Sequence, residues 1–285
     1  MVLHTRYRCT FMLDRRTVVG MLLGATLRAG SLDRFFGGAR GTAVLLELKT
    51  RKVIGVHQPE LAARWLMPPG STMKPFSIGA LLDSGKLRAD EQFPCPIQLS
   101  LAGRSFTCSH PATGVPMRAE TAIAYSCNNF VAHFAKRFDG GELARAVKFS
   151  RNSGFFVDEV PSRVEPAGDL VERQLQAIGE AKVIVTPAGL LAAYAGLASR
   201  AAGPVLDGLE GAVEYGTAQL AAVPKVKVAG KTGTVVDRNG AHIVWFAGFA
   251  PSRTPQVAVV VASQGRSGAM DAAPIAGRIL AERFQ

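Results

Sequence analysis

The order of the secondary-structure patterns along the chain restricts its fold more than any other sequence feature. Two β-rich runs precede a long, mainly helical middle, and three follow it. The runs are residues 41–50, 52–58, 225–234, 242–250 and 256–263. This order predicts an α+β fold, in which an antiparallel sheet takes strands from both chain ends and is flanked by helices, with the middle of the chain forming an all-helical lobe.

Local signals place the turns and helices between these strands. Asn239 and Gly240 mark a hairpin turn. A helix is predicted over 71–83, with Gly85 at its C-terminal end, and a helical pattern over 118–138 has a break near Ser126. Further helices are predicted over 185–199 and 272–284, whereas 88–116 is rich in Pro, Gly and Ser and indicates loops.

The chain is basic. Its 285 residues contain 33 Lys and Arg against 22 Asp and Glu, a net charge of +11. Such charge suits nucleic acid, an anionic membrane or an acidic polymer. Only 7% of the residues are aromatic, and no basic run is interleaved with stacking aromatics. We therefore expect no nucleic-acid partner, and association with a membrane or the cell wall instead.

Residues 1–30 have the pattern of an export signal or membrane anchor. Arg15 and Arg16 precede the apolar run 17–27, which is shorter than the ~20 residues of a membrane-spanning helix. The paired arginines resemble a twin-arginine signal, and a Sec-type signal fits as well. We expect an extracytoplasmic location, in the periplasm or on the outer face of the inner membrane, with 31–285 as the working domain. The alternative is a helix of the folded domain with a cationic end.

The four cysteines leave two alternatives open. No pair has Cys-x-x-Cys spacing, so the sequence predicts no structural zinc site, and neither metal nor cofactor is expected. Cys95 and Cys108 bracket a short segment with a hairpin pattern. In an exported domain the two form either a disulfide or a pair of free thiols.

Three short motifs carry the chemistry, in the order Ser71-x-x-Lys74, Ser126-x-Asn128 and Lys231-Thr232-Gly233-Thr234. A serine hydroxyl needs a base within hydrogen-bond reach to become a nucleophile. Ser71 and Lys74 share a helix face, and Lys74 can be that base if burial or a second ammonium lowers its pKa.

Other positions suit binding and charge stabilisation. Ser71 begins a helix, where free N–H groups favour an oxyanion. Ser126 can relay a proton to a leaving amine, and Asn128 can hold a substrate amide. Lys231, with the hydroxyls of Thr232 and Thr234, can bind a carboxylate on an edge strand, where we expect Gly233 to let a substrate backbone approach closely.

These motifs resemble those of the penicillin-binding transpeptidase and serine β-lactamase superfamily. The segments PPGSTMKPFSIGALLDSGKL, AYSCNNFVAHFAKRF, AIGEAKVIVTPAGLLAAYAGLAS, and KTGT followed by WFAGFAP resemble class B penicillin-binding proteins. The resemblance implies a β-lactamase/transpeptidase-like fold with the active site between sheet and helical lobe. It implies that Ser71 is acylated, that Lys74 is its base and that Ser126 relays a proton. It also implies an oxyanion hole formed by the N–H groups of Ser71 and Thr234. The implied partners are peptidoglycan stem peptides ending in D-Ala-D-Ala, and β-lactams.

Two rival functions remain. Residues 163–166 resemble the Arg-x-Glu-Pro loop that supplies the deacylating base in class A β-lactamases, but Asp169 stands where those enzymes carry Asn. We interpret Glu165 as a solvated loop carboxylate. A β-lactamase that uses a carboxylated Lys74 stays open, and so does a β-lactam sensor that is acylated without turnover.

Several other residues receive no role from the sequence. We interpret His57, His110 and His242 as surface or satisfied histidines, Trp245 as core or cleft wall, and Cys127 as a small buried residue.

Overall fold

The computed structural model describes residues 30–112, 114–147, 162–237 and 239–285. Apart from Gly30, the leader predicted over 1–30 lies outside these ranges. Within them, no helix combines the length and apolarity needed to cross a membrane.

One six-stranded sheet organises the molecule. Its order is β1-β3-β2-β10-β9-β8, antiparallel throughout except for the short parallel pair β1–β3. The main strands are β1 (Gly30–Ser31), β2 (Gly41–Glu47), β3 (Lys52–His57), β8 (Ala229–Val236), β9 (His242–Ala250) and β10 (Val257–Gln264). Two-stranded pairs are formed by β4 (Ser100–Leu101) with β5 (Arg104–Ser105), and by β6 (Arg163–Val164) with β7 (Val183–Ile184). The predicted joining of strands from both chain ends is confirmed.

Both faces of the sheet are covered, which explains the nearly continuous apolar runs in its central strands. On β9, Ile243 and Trp245 pack into one hydrophobic core, and Val244 and Phe246 pack into another. Because successive side chains of a strand point to opposite faces, such a strand needs apolar residues at every position.

Helices cover the sheet and build the second lobe. They are α1 (Pro59–Arg64), α2 (Lys74–Asp83), α3 (Ala119–Ala124), α4 (Asn128–Ala135), α5 (Glu142–Ala146), α6 (Leu170–Ala177), α7 (Pro187–Ala198), α8 (Gly203–Glu214) and α9 (Ala273–Arg283). Helix α7 packs on the sheet, as does α9, which belongs to the second core. Helices α2, α3, α4, α6 and α8 pack against one another as the helical lobe.

The break predicted inside 118–138 is real. Helix α3 ends at Ala124 and α4 begins at Asn128, so the second motif occupies the bend between them. The first motif lies on a 3-10 turn, Gly70–Met73, that continues into α2, and the third lies on edge strand β8. All three motifs meet where the sheet adjoins the helical lobe.

Candidate active site

The turn that carries Ser71 packs directly on strand β8. Gly70 has φ +54°, and a Cβ there would lie 2.7 Å from Val235 Cγ1 and 3.3 Å from the Thr234 carbonyl oxygen. The Gly70 N–H donates to the Gly179 carbonyl over 3.0 Å. A glycine at 70 is therefore required, and it brings Ser71 beside the backbone of Thr234.

Two buried aromatic side chains fix the same turn. The Tyr194 hydroxyl donates to the Thr72 carbonyl over 2.9 Å, and Trp245 Nε1–H donates to the Pro68 carbonyl over 3.1 Å. Both residues are fully buried. Trp245 was expected in the core or cleft wall, but the role of Tyr194 carries no sequence signal beyond its place in the apolar helix α7.

Lys74 lies beneath the turn as a fully buried amine. Its Nζ is 2.7 Å from the Ser126 carbonyl oxygen, 3.1 Å from Ser126 Oγ and 2.6 Å from Asn128 Oδ1. Burial lowers the pKa of Lys74 to about 8, against a smaller opposing effect of nearby negative groups. The lowering that the sequence argument required is thus present, and burial causes it.

Ser126 is held in an unusual backbone conformation. Its φ of +59° lies in the left-handed region, which a serine seldom occupies. Its neighbour Cys127 is the N-cap of α4, and its sulfur accepts from the Phe130 N–H. The bend turns the carbonyl and the hydroxyl of Ser126 toward Lys74.

Lys231 is a second fully buried amine. Its Nζ lies 3.2 Å from the Thr232 carbonyl oxygen and 3.4 Å from Thr217 Oγ1. Burial, and then the charge of Lys74, lower the pKa of Lys231. Its two hydrogen-bond partners are neutral oxygens, and among the described residues no carboxylate contributes to the shift of its pKa.

Thr217 is a site residue that the sequence argument missed. Its Oγ1 accepts from the Thr232 hydroxyl over 2.9 Å, and its N–H donates to the Ala124 carbonyl. A Cβ on neighbouring Gly216 would lie 2.2 Å from that carbonyl, so the turn packs tightly on the end of α3. The available signal was a Gly-Thr pair in the turn region between α8 and β8.

Gly233 has a packing role that the sequence argument did not predict. Its missing side chain faces the protein, because a Cβ would lie 2.8 Å from the Pro69 carbonyl oxygen and 3.1 Å from Thr72 Cγ2. Glycine at 233 thus lets β8 approach the turn that carries Ser71. Gly233 also lines the cavity of the site, so close approach of a substrate backbone there stays a prediction. The neighbouring Thr234 hydroxyl accepts from the Gly268 N–H over 2.9 Å and keeps its own hydrogen available.

These groups surround one cavity of about 310 Å³. Its wall consists of Ser71, Thr107, Ser109, Ser126, Asn128, Thr217, Thr232, Gly233, Thr234, Ser267, Gly268 and Ala269. Six of the predicted site residues line it, while Lys74 and Lys231 lie buried and bonded to wall residues. The cavity wall therefore offers hydroxyls and an amide to a ligand, and two buried amines lie behind that wall.

Glu165 lies elsewhere, as the sequence interpretation expected. Its half-exposed carboxylate is 2.7 Å from Arg163 Nε, and this pairing lowers its pKa. The described wall of the cavity contains no carboxylate. Glu165 is thus not among the described residues that line the cavity with Ser71.

The three histidines differ in their exposure to solvent and in their hydrogen-bond partners. His57 stacks on Phe36 and pairs with Asp33 over 2.5 Å, and His242 is exposed at the start of β9. The expectation is wrong for His110, which is buried with Nε2 lacking any hydrogen-bond partner among the described residues.

A serine on a helix-initiating turn, a buried amine three residues later and a facing edge strand define a serine acyltransferase or peptidase-type enzyme. Comparison with family models supports this class. Residues 41–282 match the penicillin binding protein transpeptidase domain, and the chain belongs to that family. By sequence, no curated protein matched the chain.

Solved structures agree on the fold. The transpeptidase domain of Burkholderia pseudomallei penicillin-binding protein 3 is 21% identical with a TM-score of 0.73, over 94% of this chain and 92% of that one. Pseudomonas aeruginosa penicillin-binding protein 2, in complex with WCK 5153, is 21% identical with a TM-score of 0.75, over 92% and 76%. Penicillin-binding protein A of Mycobacterium tuberculosis, as a ceftriaxone acyl-enzyme, is 21% identical with a TM-score of 0.75, over 95% and 85%.

Proposed function

We propose that this transpeptidase is a penicillin-binding serine DD-peptidase that acts on D-Ala-D-Ala stem peptides of peptidoglycan through an acyl-enzyme on Ser71, and that β-lactams acylate the same serine. The observation that carries the proposal is the buried Lys74 amine, bonded to Ser126 and Asn128 directly beneath the cavity that Ser71 lines.

Acylation begins with attack by Ser71 Oγ on the carbonyl carbon of the penultimate D-Ala. The serine proton passes to the neutral amine of Lys74, whose lowered pKa makes it a suitable acceptor. The carbonyl oxygen becomes an oxyanion, which the N–H groups of Ser71 and Thr234 stabilise. Collapse of this intermediate breaks the C–N bond, and a proton relayed through the Ser126 hydroxyl reaches the leaving amine of D-Ala.

The second amine suits the substrate carboxylate. Lys231 is buried, and its hydrogen-bond partners among the described residues are a carbonyl and a hydroxyl, both neutral. The C-terminal carboxylate of D-Ala-D-Ala, or the carboxylate of a β-lactam, supplies a negative charge there. The Thr234 hydroxyl lines the same cavity with its hydrogen available and can donate to it, whereas the Thr232 hydroxyl donates to Thr217 in this structure.

Deacylation distinguishes this proposal from a β-lactamase. A β-lactamase needs a base that activates water, but the described cavity wall has no carboxylate, and Glu165 is paired on the surface. We therefore favour a long-lived β-lactam adduct over turnover.

The experiment uses a peptide donor ending in D-Ala-D-Ala, with and without an acceptor amine. Release of D-Ala together with an acceptor-linked product indicates transpeptidation, and release without such a product indicates carboxypeptidation. Release of D-Ala by Ser71→Ala as fast as by the wild type would contradict the proposal. Multiple turnovers of nitrocefin would favour the β-lactamase.

We further propose that residues 1–30 carry the domain out of the cytoplasm. The support is the apolar run 17–27 behind Arg15 and Arg16. A fusion of residues 1–30 to a reporter that is active only after export should be active, and replacement of both arginines by lysine separates a twin-arginine from a Sec route. An inactive fusion in both forms would contradict the proposal.

A further inference from the structure

Four potential metal ligands converge beside the second motif. The sulfurs of Cys95 and Cys108 are 3.7 Å apart, and those of Cys108 and Cys127 are 3.9 Å apart. A ligand atom of His110 joins them, with all four atoms within 4.8 Å of one another. The sequence spacing argued against a zinc site, but the fold gathers residues that spacing separates.

The sulfur separations match tetrahedral coordination. Zinc lies about 2.3 Å from a thiolate sulfur, and a regular tetrahedron then places two sulfurs about 3.8 Å apart. The two sulfur–sulfur distances, 3.7 and 3.9 Å, lie on either side of that value. Four protein ligands also leave no open position, which is the arrangement of a structural zinc site.

His110 is prepared to be the fourth ligand. Its Nδ1 lies 2.9 Å from the Pro111 carbonyl oxygen, so Nδ1 carries the proton and donates to it. That tautomer leaves a lone pair on Nε2, which is buried without a hydrogen-bond partner among the described residues. A ligating histidine commonly donates its other ring N–H to a carbonyl in this way. A buried, unpaired ring nitrogen otherwise costs stability.

Each of the three sulfurs accepts hydrogen bonds from N–H groups. Cys95 Sγ accepts from the Ile97 N–H over 3.3 Å, and Cys127 Sγ from the Phe130 N–H over 3.4 Å. Cys108 Sγ accepts from the Asn128 N–H over 3.3 Å. The Asn129 side-chain amide reaches both Cys95 and Cys108 over 3.5 Å. Such donors stabilise thiolates, the form that binds metal.

We propose that Cys95, Cys108, Cys127 and His110 bind one zinc ion, which clamps the loop around hairpin β4–β5 onto the second motif. Cys127 stands between Ser126 and Asn128, so a metal bond to its sulfur restrains the segment whose two neighbours contact Lys74. The same loop supplies Thr107 and Ser109 to the cavity wall. Cys108 and Cys127 are buried, and Cys95 is partly exposed, which gives the ion a path of entry.

The metal test is made on the full chain and does not depend on β-lactam chemistry. Zinc is measured by elemental analysis of reduced wild-type protein, and Co²⁺ is then loaded into chelator-treated protein. We expect about one equivalent of zinc per chain, and with Co²⁺ the visible and near-ultraviolet bands of tetrahedral thiolate coordination. Cys108→Ser should lose the bands, and His110→Gln should bind metal at least about tenfold more weakly. His242→Gln, at an exposed histidine, is the matched control and should behave as wild type.

Two results would overturn the site. One is folded wild-type protein with reduced thiols that gives neither bound zinc nor the Co²⁺ bands. The other is a Cys95–Cys108 disulfide in freshly isolated protein, found by mass spectrometry of alkylated peptides. Since both are measured on the wild type, the proposal stays testable even where Cys108→Ser does not fold.

The effect of zinc on the active site rests on the proposed function, and the rate of β-lactam acylation measures it separately. Chelation should slow β-lactam acylation about tenfold or more, and zinc should restore it. Zinc binding with an unchanged acylation rate would refute the clamp and leave the metal site standing. Zinc binding without any acylation would refute the proposed function instead.

Discussion

Lys74 Nζ lies 2.6 Å from Asn128 Oδ1, which joins the first motif to the second across the base of the cavity. The same nitrogen is 3.1 Å from Ser126 Oγ. An ammonium has three hydrogens, and the three acceptors around Lys74 use all of them. When the amine loses its proton it gains a lone pair, which is the acceptor that the proposed proton transfer from Ser71 requires.

The rate of β-lactam acylation should rise with pH through about 8, the pKa of Lys74. The base must be neutral, and below the pKa its neutral fraction falls about tenfold per pH unit. The rate should therefore increase from pH 6 to 8 and level off above that. Stopped-flow acylation by a chromogenic β-lactam measures the profile.

Lys74→Arg is the matched variant for this profile, because a guanidinium keeps its proton across the whole range. It should lose acylation at every pH. A wild-type rate that stays flat between pH 6 and 9 would refute Lys74 as the base.

Thr217→Val should reduce acylation efficiency about 10- to 100-fold. The change removes the hydroxyl oxygen that accepts from Thr232 and lies near Lys231, and an unsatisfied buried polar group costs about 1–3 kcal/mol. Thr217→Ser keeps the oxygen and should retain near wild-type efficiency. If both variants lose efficiency equally, packing rather than the hydrogen bond matters at this position.

Gly179→Ala should destabilise the fold by about 2–4 kcal/mol. Gly179 has φ +82°, and a Cβ there would lie 2.0 Å from the Gly70 carbonyl oxygen. Gly85→Ala is the control, since Gly85 has φ +69° with nothing within 4 Å of an added Cβ, and its cost is about 1 kcal/mol. Urea denaturation measures both, and equal losses would show that the contact with Gly70 is unimportant.

Glu165→Ala should change neither acylation nor the lifetime of the β-lactam adduct. The carboxylate is half-exposed and paired with Arg163, away from the cavity. Exposed pairs of this kind contribute about 0–1 kcal/mol, so stability should change little. Adduct lifetime is followed by intact-protein mass spectrometry. A markedly longer lifetime in the variant would identify Glu165 as a deacylating base.

The parts of the fold that the sequence predicted were those with strong local signals. The apolar runs at β9 and β10 and the helical pattern over 71–83 each had one consistent interpretation. Helix α8 escaped prediction because Gly208 and Gly211 weaken helix propensity. The structure explains Gly208, because a Cβ there would lie 2.7 Å from the Glu120 carbonyl oxygen on α3. Tertiary packing overrides propensity at that position.

The residues of the site likewise divide into those with a local sequence signal and those that only the fold reveals. Lys74 and Lys231 were found because their motifs have short, fixed spacings. Thr217 and His110 were not, since only the fold brings them beside β8 or beside the cysteines. The sequence argument recognised that Gly233 matters because it lacks a side chain. The structure shows that the group an added Cβ would meet is the Pro69 carbonyl.

Peptide mapping after incubation with benzylpenicillin tests the central claim most directly. The account predicts one penicilloyl group per chain, located on the peptide that contains Ser71, and none in Ser71→Ala with the wild-type fold. A folded wild-type protein that remains unmodified, or an adduct on any other residue, would contradict it.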